Sequence, residues 1–210
     1  MQISQKPIYI PIINHEYTPN NNSINIVYKW FQELYGRVKT LSIDTYQCTK
    51  EQFFNIIREG TKGYTTICFY LCIHGKQFIN KETKEPEEWL MINDETLILD
   101  KEFSEFISEL KFQNLYMIIE SCHGGGLINT IKIDDTIQDM SNVNILIFNI
   151  CSKEQKCYVQ KSTIGSIGIV TCLLYGNKIN PLRHPRTALS LVKRIYPHLH
   201  TKLTLLNNIS

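Results

Sequence analysis

No apolar run in the 210 residues reaches the length of a membrane span, and the opening Met-Gln-Ile-Ser-Gln-Lys-Pro lacks the apolar core of a signal peptide. A membrane partner is therefore not expected, and the location expected is cytoplasmic. Neither sign of charge is in excess: 22 Lys and Arg stand against 20 Asp and Glu, a formal net charge of +2. So even a balance gives no reason to expect nucleic acid or an anionic surface as partner. A disulfide framework is missing too. The seven cysteines are odd in number and lack close paired spacing, and Cys68, Cys72 and Cys151 sit in or beside apolar runs, so reduced thiols are expected. There is no internal repeat, and the Asn20-Asn21-Asn22 cluster is too short to be a low-complexity tract. A nucleotide-binding glycine pattern would follow the first strand, where this chain has Asn14-His15-Glu16-Tyr17.

What is present is enough apolar residue, 43%, for one globular domain over residues 1–210. Pro7 to Ile13 reads as a first strand, and Asn20 to Ser23 offers helix caps. Ile24, Val27, Tyr28, Phe31, Leu34 and Tyr35 then recur at steps of three and four, one apolar helical face ending at Gly36. Val38 to Ile43 predicts a second strand. Thr49 caps a helix that buries Phe53 and Ile57 and stops at Gly60. Tyr64 to Ile73 is nearly continuous in strand-forming residues, as a central parallel strand would be. The charged stretch from Lys76 to Glu88 reads as an exposed loop, followed by extended pieces at 89–92 and 96–99. A helix carrying Phe103, Phe106, Ile107 and Leu110 comes next. Leu115 to Glu120 and Val143 to Ile150 are further strands, separated by an acidic linker over 127–142. Residues 163–175 and 187–195 predict helices, and Lys202 to Leu206 a last strand. Alternating strands and helices imply an α/β fold, a mostly parallel sheet of about six strands with helices on both faces.

In such a sheet reactive groups collect at the carboxyl ends of strands. His74 ends one strand and Cys122 follows the next, about fifty residues on, and the intervening helix would bring the two strands side by side. A thiol is mostly protonated near neutral pH, so a nearby imidazole supplies the base it needs. The N–H groups of Gly75 and Cys122 are candidates for stabilising an oxyanion. Taken singly, the cysteine reads as a packed core residue and the His-Gly pair as a strand-ending turn. Their joint placement, each with glycine beside it, is what favours chemistry. His123 is treated as a loop residue and not the base, His15 as the end of the first strand with little claim on the cleft, and Arg183, Arg186, Lys193 and Arg194 as a solvated helix face.

Ile73-His74-Gly75 and Glu120-Ser121-Cys122-His123-Gly124-Gly125 resemble the two signature blocks of the caspase and metacaspase superfamily. The second block is similar to the Asp-Ser-Cys-His-Ser-Gly of metacaspases and unlike the Gln-Ala-Cys-Arg-Gly of caspases. Residues 88–100, between the blocks, and 149–155, after the second, are similar to the family as well. The resemblance implies a three-layer fold of the caspase-haemoglobinase type, with a large-subunit-like part over about 1–130 and a small-subunit-like part over about 143–210. It implies a cysteine endopeptidase acting on polypeptide substrates, with Cys122 as nucleophile and His74 as acid and base. Glu120 stands where metacaspases have a pocket acid selecting Arg or Lys at the cleaved position, so a basic preference is expected. Lys132 is then a candidate self-processing point, and no prodomain or long inserted linker is expected.

Two departures bear on these expectations. The family's second pocket acid, at the start of the first helix, is replaced by Asn22-Ser23. At the positions matching its calcium ligands stand Asp100, Lys101, Asn129 and Glu88, a set poor in oxygen donors and negative charge. Calcium independence is therefore expected, with no metal and no cofactor. The alternative from another class is an inactive caspase-fold protein that binds or sequesters a partner.

Overall fold

A computed structural model of the protein describes residues 6–14, 22–120, 143–149, 159–162, 165–196 and 202–206. Cys122, His123, the glycines at 124–126, His15, Asn129, Lys132 and the 127–142 linker lie outside the described residues.

The chain runs β1 (Pro7–Ile13), α1 (Ser23–Tyr35), β2 (Lys39–Thr40), β3 (Ile43–Asp44), α2 (Lys50–Thr61) and β4 (Thr66–Cys72). It continues through β5 (His74–Ile79), β6 (Pro86–Met91), β7 (Leu97–Leu99), α3 (Asp100–Glu109) and β8 (Asn114–Ile119). Then come β9 (Asn144–Asn149), β10 (Val159–Ser162), β11 (Gly165–Gly168), α4 (Ile169–Gly176), α5 (Pro185–Ile195) and β12 (Lys202–Leu206). The main sheet has the order β12-β9-β8-β4-β1-β2, with β3 also paired to β1. Every pairing in it is parallel except β12 with β9.

Side chains alternate across this sheet as the pleat requires. Ile8, Ile10, Ile12, Ile67, Phe69, Leu71, Leu115, Met117 and Ile119 share one buried cluster with Phe53 and Ile57 of α2 and Phe103 of α3. The intervening residues, Tyr9, Cys68, Tyr70, Cys72, Tyr116 and Ile118, pack instead with Val27 and Phe31 of α1, Val170 of α4 and Val192 of α5. Two apolar layers, one on each face, give a three-layer α/β fold. All seven residues of β4 are buried, which explains why that strand reads as an unbroken apolar run and not as an alternation.

Three readings of the sequence are corrected. The charged stretch from Lys76 to Glu88 is not a loop: β5 and β6 pair antiparallel from His74↔Met91 to Ile79↔Pro86, and β7 adds a third strand. Only its turn is irregular, with the Asn80 side chain accepting the N–H groups of Glu82 and Thr83. The ribbon is held by backbone ladders with most of β5 in solvent, so it carries no apolar period. Residues 165–168 form β11 against β10, and the helix over 163–175 begins only at Ile169. Glycines at 165 and 168 favour that outcome, since each costs a helix about 1 kcal/mol relative to alanine. The second strand is split into β2 and β3, both on β1.

Candidate active site

β4 and β8 are neighbours in the sheet, in parallel register from Thr66↔Asn114 to Leu71↔Ile119. The chain therefore leaves both strands at the same edge. From β4 it passes through buried Ile73 to His74, which is exposed and opens β5. From β8 it passes to Glu120, whose N–H donates to the Leu71 carbonyl at 2.8 Å. Gly75 lies opposite Leu90 in the β5–β6 ladder. Of the predicted site residues, His74, Gly75 and Glu120 thus stand at one sheet edge.

Partial desolvation of the imidazole, reinforced by the like charge of Lys76, lowers the pKa of His74 from its ordinary value, while Asp94 opposes the shift. The neutral ring, the form a general base needs, is favoured.

Glu120 continues the β8 alternation onto the α1 and α4 face and is buried. Its Oε2 accepts from the Tyr70 hydroxyl at 2.6 Å, and its Oε1 accepts from the Thr171 hydroxyl at 2.6 Å and the Thr171 N–H at 3.3 Å. Ser23 also hydrogen bonds to both Glu120 and Tyr70. Burial raises the carboxyl pKa, and the hydrogen bonds from Thr171, Tyr70 and Ser23 pull it back. The helix start that carries Asn22-Ser23 is thus in direct contact with the acid. Ser23 does not cap α1; Asn22 holds the N-cap position and makes no capping bond through its side chain.

Tyr70 and Thr171 were not singled out in the sequence. Their signal was a hydroxyl inside an otherwise apolar strand and helix, Tyr70 having the same strand parity as Glu120. Of the calcium-ligand positions, Glu88 is buried in β6 and Asp100 opens α3, its Oδ1 accepting from the Lys101 N–H. Among the described residues no group of three or more His, Cys, Asp or Glu side chains is arranged to hold a metal ion. Among them no helix is long and apolar enough to cross a membrane. Cys68 and Cys72 are buried and in no disulfide among the described residues.

No family model matches the chain, and no curated protein matches it. Among solved structures, the protein GSU0716 from Geobacter sulfurreducens superposes with a TM-score of 0.60 at 11% identity, over 96% of this chain and 93% of that one. Raptor from Chaetomium thermophilum matches with a TM-score of 0.43 at 8% identity, over 92% of this chain but 19% of its own. The likeness to the Geobacter protein supports the three-layer α/β architecture and, at that identity, speaks of fold alone.

Proposed function

We propose that the chain is a metacaspase-like cysteine endopeptidase in which Cys122 is the nucleophile and His74 the acid and base. The observation that carries the reading is the parallel β4–β8 register, which brings His74 and Glu120 to one edge of the sheet. Cys122 follows Glu120 by two residues, about 7 Å of extended chain at most. In this mechanism the Cys122 sulfur bonds to the peptide carbonyl carbon as His74 takes the thiol proton. The carbonyl oxygen becomes an oxyanion, for which the N–H groups of Gly75 and Cys122 are the donors. Collapse breaks the C–N bond, and His74 returns its proton to the leaving amine. Water then hydrolyses the thioester with His74 as base, freeing the acid and restoring the thiol.

Glu120 supplies the preference for Arg or Lys before the cleaved bond. Its carboxylate is buried, where a charge is screened less than at the surface. A substrate cation in turn favours the ionised acid. Calcium is not required, because Lys101 stands among the acids that would bind it.

One observation favours the alternative of a catalytically inactive, partner-binding protein: Tyr70, Thr171 and Ser23 already occupy the Glu120 carboxylate. Labelling with a thiol-directed probe separates the two. The peptidase reading expects labelling lost in both Cys122→Ala and His74→Ala, and peptide cleavage after Arg or Lys without calcium. Absence of labelling and turnover would favour the binding protein, and cleavage after Asp would overturn the basic preference.

A further inference from the structure

Among the described residues, the ribbon that begins at His74 has no strand beside one of its edges. β5 stands at the end of the order β5-β6-β7, and its partner β6 lies toward β1, because the Asn14 and Thr45 side chains just beyond β1 and β3 both donate to the Ile92 carbonyl just past β6. β4, from which the chain enters β5, stands between β1 and β8. The free edge of β5 therefore faces β8, the strand from which the chain leads to Glu120 and Cys122.

Two signals fix which backbone groups point out of that edge. Asn80 donates its N–H to the Glu85 carbonyl across the ribbon, so residues of the same parity, Phe78, Lys76 and His74, bond inward to β6. Ile79 is paired with Pro86, which has no N–H to give and so fits only a position without ladder bonds. The N–H and C=O groups of Gly75, Gln77 and Ile79 thus point outward, in a row that begins at the proposed oxyanion donor. Edge strands are commonly blunted by proline, bulges or charge. β5 contains Lys76 but no proline, and Phe78 is 46% and Ile79 61% exposed. An open row of alternating donors and acceptors is what an extended peptide pairs with when it adds to a sheet.

Strand parity sets the direction of that peptide. Along β4, Leu71 and Ile73 enter the α2 and α3 layer and Cys72 the α1 and α4 layer, and His74 keeps the parity of Cys72. Gly75 is opposite Leu90, which packs in the α2 and α3 layer, and cross-strand partners share a face. Glu120 is on the other face, bonded to α4 through Thr171. A carbonyl bound to the Gly75 N–H belongs, in an antiparallel pair, to the residue opposite Gly75, whose side chain points away from Glu120. In a parallel pair it belongs to the residue before that one, whose side chain points toward Glu120. Only the parallel choice agrees with a basic residue before the cleaved bond. We propose, resting on the peptidase reading, that the β5 edge binds the substrate chain after the cleaved bond, which pairs parallel to β5 as an added strand. The second residue after the bond then donates to the Gly75 carbonyl and accepts from the Gln77 N–H. The fourth donates to the Gln77 carbonyl and accepts from the Ile79 N–H, while the first and third turn their main-chain groups away.

The test uses the full chain carrying Cys122→Ala and fluorescein-labelled peptides with Arg before the bond and four residues after it, N-methylated at the second, third or fourth of these. Fluorescence anisotropy is expected to show binding weakened about fivefold by methylation at the second or the fourth, the order of one net backbone hydrogen bond, and little changed at the third. Gln77→Pro removes an outward donor that the ribbon does not use, a substitution edge strands accept. It should weaken the unmodified peptide by about the same factor, with circular dichroism unchanged; if that variant does not fold, the methylation series alone decides. The wild-type chain should rank the peptides alike in kcat/KM. Equal loss at all three positions, loss at none, or no binding at all would overturn the edge as the site. An alternating loss while wild type takes no thiol probe would support the edge and remove the peptidase, whereas cleavage by wild type with a flat series would remove the edge alone.

Discussion

At the scale of single residues, two ionisable groups at the sheet edge are shifted in opposite senses. His74 titrates below its ordinary 6.5 in the folded chain. The folded state then binds fewer protons than the unfolded one, and the stability His74 contributes is present above the unfolded value and lost as pH falls through the folded one. A ring-proton NMR titration is expected to give a midpoint below 6.5, moved up by Lys76→Gln and further down by Asp94→Asn. Glu120 titrates above its ordinary 4.5. Its stability contribution is present below the unfolded value and lost as pH rises through the folded one. Glu120→Gln should therefore flatten the pH dependence of stability just above the usual carboxylate range. Glu120→Ala, which strands the Tyr70 and Thr171 hydroxyls, should cost about 1–3 kcal/mol in urea denaturation. The positions of His74 and Glu120 at strand ends were legible because each terminates an apolar run. The partners of Glu120 were not, because they come from β4, α1 and α4, and contacts between separate elements leave no local pattern.

Among the elements, those with a buried face were the readable ones. The start of α2 shows the signature plainly: Thr49 followed three residues later by Gln52, and both halves of the capping box are formed. Thr49→Ala should cost about 1 kcal/mol. The stripes of α2 and α3 meet through Phe53 and Phe103, with ring centroids 6.2 Å apart. Phe103→Ala should cost about 3–5 kcal/mol. By contrast Ile79, on β5 and 61% exposed, should change urea stability by no more than about 0.5 kcal/mol when replaced by Ala. That contrast also explains the misread hairpin. A ribbon held by its backbone ladder and by the Asn80 turn buries little on β5, so charged residues there obscured the strand without preventing it.

Across the whole molecule, the central strands hold the deepest structure. β4 is paired on both sides and covered on both faces, so its amides should be among the last to exchange with deuterium, opening only with global unfolding. Residues on either side of 121–142 meet in the next ladder, where β8 and β9 run parallel from Asn114↔Asn144 to Ile119↔Asn149. Thr171 fastens α4 to Glu120 beside it. A cut at Lys132 would sever the backbone yet leave these bonds intact. On the proposed peptidase reading, a preparation nicked there should migrate as one species on a native gel and as two bands after denaturation, while Cys122→Ala stays whole. If the proposed peptidase makes that cut, covalent continuity and structural unity would be separable, the two fragments staying together through the β8–β9 ladder until the sheet itself is unfolded.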